Sequence, residues 1–228
     1  IYYIMNSLFT DLELKDQDSL KTGDIILCHG YNPKGLDPGI DGVIEFFTHS
    51  PWEHAGLIIR DPSKILDVSL NDGLYIYQAG NGPNGYPDVL NGNLCGVTLN
   101  KLDDFLCNRE HIYVRSLNNY MWTDNQKSKF RKAFNASHGK PYDKGWWYWF
   151  WTGINSWCCY GKCKCCNCCV PKHVNDFWCS AIVSFMYVKM GCFPEDLDWS
   201  DKTPAFLASD DVPIVEPYNL SKLWVLKS

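Results

Sequence analysis

The chain has 228 residues, a formal net charge of −5, and 46% apolar against 21% charged residues. That length suits one sizeable domain, and that balance excludes wholesale disorder. With 21 Lys and Arg against 26 Asp and Glu, and no basic run, the chain lacks the electrostatic footprint of a duplex binder. Nucleic acid is therefore not an expected partner.

Ten Trp and twelve Cys stand out, and both are clumped. Trp146, Trp147, Trp149, Trp151 and Trp157 fall in one short segment, and Cys158, Cys159, Cys163, Cys165, Cys166, Cys168 and Cys169 follow it directly. A disulfide framework would staple distant parts of the chain instead. The remaining cysteines (Cys28, Cys95, Cys107, Cys179, Cys192) are scattered, so the chain reads as one from a reducing intracellular compartment. The opening IYYIMNSLFT has no basic residues ahead of its apolar part, and Asp11 and Glu13 follow, so a secretory signal peptide is not expected. No run of about 18 apolar residues exists, which argues against a transmembrane helix. Without internal repeats or flexible linkers, residues 1–228 read as a single domain with a Trp/Cys-rich insertion at about 144–174.

In chain order, the turn Thr22-Gly23-Asp24 leads into a buried strand, Ile25-Ile26-Leu27-Cys28. Residues 31–41 read as a loop, and the spacing of Ile40, Val43, Ile44, Phe46 and Phe47 predicts a short helix at about 40–48. His54–Ile59 and Leu74–Ala79 are strands, the second after a turn at Asn71-Asp72-Gly73. Gly80–Gly96 holds five Gly and two Pro and reads as a loop. Short strands follow at Gly96–Leu99 and His111–Leu117. Thr123 caps a helix whose apolar face is Phe130, Ala133, Phe134 and Ala136. A second helix starts near Asn175 or Asp176, carries Ile182, Val183, Phe185, Met186 and Val188 on its buried side, and stops at Gly191. A helix start at Thr203-Pro204 precedes strand-like runs at Val212–Val215 and Leu223–Leu226. The expected class is α+β, an antiparallel sheet packed with helices.

Thiol catalysis needs a Cys whose thiolate is favoured, a His to exchange the proton, and a group that fixes the His ring. Cys179 sits just inside a predicted helix start, where free N–H groups and the dipole stabilise a thiolate. The same N–H groups suit an oxyanion. His54 opens an apolar strand and is followed only by Ala55-Gly56, which leaves room for a neighbouring backbone or a substrate. Gln78, on the adjacent predicted strand, can accept from its ring. The competing reading is that Cys179 and His54 are packed structural residues. Spacing alone cannot bring together positions 125 apart.

Four segments resemble, in order, motifs of the circularly permuted NlpC-type papain-like cysteine hydrolases, the YaeF/YiiX-like group. Leu20-Lys21-Thr22-Gly23-Asp24-Ile25-Ile26-Leu27 is similar to that family's opening strand. Ser50-Pro51-Trp52-Glu53-His54-Ala55-Gly56-Leu57-Ile58 resembles the segment bearing its catalytic His. Gly139-Lys140-Pro141-Tyr142-Asp143 resembles the turn before its nucleophile, and Phe177-Trp178-Cys179-Ser180-Ala181-Ile182-Val183 the helix start carrying it. Thr203-Pro204-Ala205-Phe206-Leu207 fits a late element. The likeness spans roughly residues 18–215, with His before Cys.

The resemblance implies a permuted papain-like fold with Cys179 as nucleophile and His54 as general base. Gln78 would orient the ring, at a position where the family commonly has Glu. Ala181 also replaces a family Glu. A neutral Gln78 cannot stabilise imidazolium by charge, which implies reduced activity. Tyr142, Asp143, Trp52 and Glu53 flank the motifs as candidate substrate contacts; otherwise they are turn and surface residues.

For residues 144–174 three readings stand. Cys163-x-x-Cys166, Cys166-x-x-Cys169 and Cys165-x-x-Cys168 have zinc-ligand spacing, with His173 nearby. Adjacent Cys beside Trp, Lys162, Lys164 and Lys172 resemble S-acylated strings and suggest peripheral membrane contact through residues 146–169. The third reading is a loop whose thiols have no single role.

The expected function is a cysteine hydrolase, amidase- or peptidase-like, cleaving a peptide amide or a lipid ester through a Cys179 thioester, with no cofactor and no metal in its site. The alternatives are an inactive structural or binding protein on the same scaffold, a lipid acyltransferase- or thioesterase-like enzyme at a membrane surface, and a metal-binding module centred on the Cys cluster. Expected location is intracellular, membrane-associated or packaged in a particle.

Overall fold

The structure is a computed structural model that describes residues 13–29, 52–80, 86–107, 109, 111–142 and 175–227. The expected helix at 40–48, the Trp/Cys-rich insertion and Asp143 lie outside the described residues.

Six strands form one antiparallel sheet: β1 (Ile25–His29), β2 (Trp52–Arg60), β3 (Leu74–Gly80), β4 (Gly96–Lys101), β5 (Ile112–Arg115) and β8 (Trp224–Lys227). Their spatial order is β4-β3-β2-β1-β5-β8. Between them in sequence come α1 (Leu102–Cys107), β6 (Leu117–Asn118), α2 (Asp124–Ser137), α3 (Cys179–Met190), α4 (Pro204–Ala208) and β7 (Asn219–Leu220), which pairs with β6. The α+β class and the antiparallel sheet packed with helices are as read from the sequence.

β1 is apolar at four successive positions because the sheet is covered on both faces. Ile25 and Leu27 join the core shared with α2 and α3, whereas Ile26 and Cys28 join a second core with Leu102 and Phe105 of α1. β2 divides in the same way, Ala55, Leu57 and Ile59 on the α3 face and Ile58 on the α1 face. Where β1 pairs with β2, Cys28 lies opposite His54 but His29 lies opposite Trp52, so Glu53 is an extra residue, a bulge at the start of β2.

The α3 helix begins at Cys179, not near Asn175 or Asp176. Ahead of it the chain is extended, since the Phe177 amide donates to the Pro141 carbonyl at 3.1 Å and Phe177 forms a parallel bridge with Tyr142. Its end falls as expected: Gly191 takes a left-handed conformation (φ 79°), and the Cys192 amide closes on the Tyr187 carbonyl. The helix has no solvent face to speak of, because every residue but Lys189 is buried.

In α2 the Thr123 hydroxyl accepts from the Gln126 amide as a cap, and Phe130, Ala133 and Phe134 are buried. Ala136, expected on that face, is exposed; Ser137 is buried in its stead, donating to the Ala133 carbonyl. The Thr203 cap on α4 also holds. The expected strand at Val212–Val215 is irregular: Pro213 lacks a ladder donor, and the Val215 amide goes to the Cys192 carbonyl. The expected strand at His111–Leu117 divides into β5 and β6. Among the described residues, no helix is long and apolar enough to cross a membrane.

Candidate active site

The site lies where β2 and β3 stop pairing. Their ladder runs from Arg60↔Leu74 to Leu57↔Tyr77, although β3 itself continues to Gly80 and β2 begins at Trp52. Ile58 exchanges backbone bonds with Gly23 and Asp24, on the β1 side. Polar groups alternate along a strand, so those of Ala55 point the other way, into the opened seam. The sulfur of Cys179, first residue of α3, lies by that amide, which together with the amides of Ser180 and of Cys179 itself favours its thiolate. It lies 4.0 Å from the Glu53 carbonyl. The thiol therefore touches β2 on both sides of His54.

Two bonds fix the start of α3. The Lys202 carbonyl accepts from Trp178 Nε1 at 2.9 Å and from Ser180 Oγ at 2.6 Å. Beyond them, Thr203 starts α4, so two helix N-termini are tied to one peptide group.

His54 leaves β2 on the α1 face. Its ring is 5.8 Å from that of Phe105, and its Nε2 is 2.6 Å from Gln78 Oε1. Gln78 follows Tyr77, the last β3 residue paired with β2, and its Cβ lies 3.6 Å from where a Gly56 side chain would start. Gln78 Nε2 continues to Asn100 Oδ1 at 2.9 Å, and Thr98 Oγ1 donates to the same oxygen at 2.9 Å. The imidazole and the thiol thus approach one seam from opposite faces of the sheet. No hydrogen bond joins the two.

Electrostatics keep both groups neutral. Burial pushes the Cys179 thiol up, opposed by the amides of Ala55 and Ser180 and by Arg109. Burial, with Arg109 nearby, pulls His54 down to about 3, against the pull of Gln78. The favoured thiolate expected from the helix start is thus outweighed by desolvation, since Cys179 is only 2% exposed. Arg109 was not singled out in the sequence. Its guanidinium lies 4.6 Å over the Phe105 ring, and it acts electrostatically on Cys28, His54 and Cys179 alike. Cys28, opposite His54 on β1, is pushed up to about 11, chiefly by burial.

The other expected contacts are placed as follows. Tyr142 is half-buried beside Phe177, which lies two residues before Cys179. Trp52 is 7% exposed and packs edge-on against Tyr113 at 5.0 Å, as part of the core. Glu53 is half-buried at the bulge. Among the described residues no three His, Cys, Asp or Glu side chains gather as metal ligands, and Cys28, Cys107, Cys179 and Cys192 are free thiols. No known family model matches the sequence, and no curated protein is significantly similar to it.

Proposed function

We propose that the protein is a cysteine hydrolase of the permuted papain-like type, acting on an amide or ester bond. The observation that carries the proposal is the seam itself: a cysteine at a helix start, 4.0 Å from the β2 backbone, and across the sheet from it a histidine whose ring is fixed by a glutamine at 2.6 Å. A neutral thiol and a neutral imidazole are the starting partners. The Cys179 S–H proton passes to His54 as the sulfur adds to the acyl carbon, and the amides at the α3 start receive the developing oxyanion. The C–N or C–O bond then breaks, and the leaving group takes that proton from His54. Water, deprotonated by His54, then adds to the thioester; the C–S bond breaks, His54 returns the proton to the Cys179 sulfur, and the acid is released.

A peptide amide and a lipid ester both fit this sequence of steps. The Trp/Cys-rich segment favours an apolar substrate or membrane location. A second reading, a binding protein on a catalytically silent scaffold, is favoured by the neutral Gln78 and by the absence of a hydrogen bond between His54 and Cys179. The deciding experiment is a panel of peptide amides and lipid esters assayed with wild type, Cys179→Ala and His54→Ala. Hydrolysis lost in both variants supports the enzyme. Hydrolysis unchanged by Cys179→Ala refutes it, and no turnover of any substrate by wild type leaves the binding reading.

A further inference from the structure

We infer that Asn100 is a positioning residue which, acting through Gln78, locks His54 in a single neutral tautomer with its proton on Nε2. The Asn100 side chain lies 2.9 Å from the Tyr86 carbonyl and 3.0 Å from the Pro87 carbonyl. Carbonyl oxygens only accept, so the Asn100 atom that faces them is the amide nitrogen, and both its protons are committed. Oδ1 is consequently turned towards Thr98 and Gln78, and it can only accept.

Gln78 must therefore present its nitrogen to Asn100 and its oxygen to His54. That oxygen is also an acceptor alone, so His54 Nε2, 2.6 Å away, carries the hydrogen. A neutral imidazole has one N–H, which leaves Nδ1 with the lone pair.

The lock is dry and well anchored. Asn100, Thr98 and Gln78 are 0%, 4% and 5% exposed, so water cannot replace a partner if an amide turns over. The segment carrying the two carbonyls is held by Asp88, which accepts from the amides of Leu90 and Leu99 and pairs with His138 at 2.7 Å. Reversing either amide would set acceptor against acceptor.

Gln78 is then not a degraded glutamate. A carboxylate there would face Asn100 Oδ1, which the two carbonyls prevent from turning. The catalytic meaning of the lock rests on the proposed hydrolase reading: it reserves Nδ1 for the thiol proton. The lock itself does not depend on turnover.

The test is a long-range 1H–15N spectrum of 15N-histidine-labelled protein at pH 7, with His54 assigned by its loss in His54→Gln. Wild type is expected to show one His54 tautomer, with pyrrole-type Nε2 and pyridine-type Nδ1. Asn100→Ala is expected to give averaged shifts from a mixture, and Gln78→Glu a lower melting temperature than wild type. A wild-type His54 protonated on Nδ1, or already a mixture, overturns the inference even if Asn100→Ala does not fold. So does a folded Asn100→Ala with wild-type shifts, or a Gln78→Glu variant as stable as wild type. Because these readouts need no substrate, they stand or fall separately from the hydrolase proposal.

Discussion

The Ala55 amide points at the sulfur of Cys179 rather than at strand β3. A sheet normally fills such a position with a ladder bond, and an unpaired buried amide is costly. Here the ladder stops at Leu57↔Tyr77, before either strand ends, and the Cys179 sulfur from α3 lies by the amide left over. On the other face the His54 ring meets Gln78 Oε1 at 2.6 Å. One interruption of the sheet therefore serves both groups.

Burial of that sulfur fixes an order of reactivity. Cys95 and Cys107 are exposed, whereas Cys179 is buried and its thiol is pushed up. The thiolate is the nucleophile towards alkylating reagents. Substoichiometric iodoacetamide at pH 7 should label Cys107 before Cys179, as read by peptide mass spectrometry. Arg109 opposes the rise, so Arg109→Gln should move the pH dependence of Cys179 alkylation to higher pH. Faster labelling of Cys179 than of Cys107 would contradict the burial argument.

The two bonds to the Lys202 carbonyl make Ser180 a lever on Cys179. Ser180→Ala removes one of them and leaves Trp178 Nε1 to satisfy the acceptor. The stability loss should be about 1 kcal/mol in urea unfolding. On the proposed chemistry turnover should suffer more, by roughly tenfold or above, because reacting groups tolerate small displacements poorly. Equal small losses in both measurements would mean that the bond is only structural.

Much of the sheet was legible because its strands are short apolar runs bounded by Gly and Asp turns. β1, β2 and β3 appeared close to their observed limits, and Thr123, Thr203 and Gly191 marked helix ends through local capping chemistry. The start of α3 was misplaced because Asp176 resembles a cap, while tertiary pairing of Phe177 with Tyr142 keeps that stretch extended. Helix α1 was missed, although Leu102, Phe105 and Leu106 have helical spacing; six residues following directly on a strand offer no start signal. Cys179, His54 and Gln78 were found through motif resemblance, and the structure places His54 and Gln78 in direct contact. Asn100 and Thr98 were passed over for a physical reason. Polar residues alternating with Val97 and Leu99 read as the wet face of a strand, and only the packing of α1 shows that face to be buried. Arg109, a lone Arg in a polar stretch, carries no local signal at all.

His54 makes stability depend on pH with a definite sign. Its folded-state value lies near 3 and its ordinary value near 6.5. Above about pH 6.5 both folded and unfolded chains hold a neutral ring and there is no penalty. Between there and about pH 3 the unfolded chain binds a proton that the folded one refuses, so stability falls as pH falls. The limiting slope for one proton is about 1.4 kcal/mol per pH unit. Urea unfolding at pH 7, 6 and 5 should therefore show a loss for wild type that is smaller in His54→Gln. Parallel curves for the two proteins would mean that His54 titrates normally in the fold.

Gly56 has a steric role that activity and stability should report differently. A methyl group at this position would meet Ile76 Cδ1 at 2.5 Å and Gln78 Cβ at 3.6 Å. Ile76 is fully buried on the α1 face, so its side chain has little freedom to withdraw. Gly56→Ala should therefore destabilise the fold by about 1–3 kcal/mol, as overpacking does in close-packed cores. The Gln78 contact is looser, but Gln78 sits on the same strand as Ile76, two residues on, and its Oε1 holds His54 at 2.6 Å. A shift of β3 away from the new methyl would lengthen that bond and uncouple the ring from Asn100. In the 15N-histidine spectrum the His54 signals should then move, while the other His resonances stay in place. A Gly56→Ala protein that loses stability with an unperturbed His54 would show that Ile76 alone absorbs the methyl group.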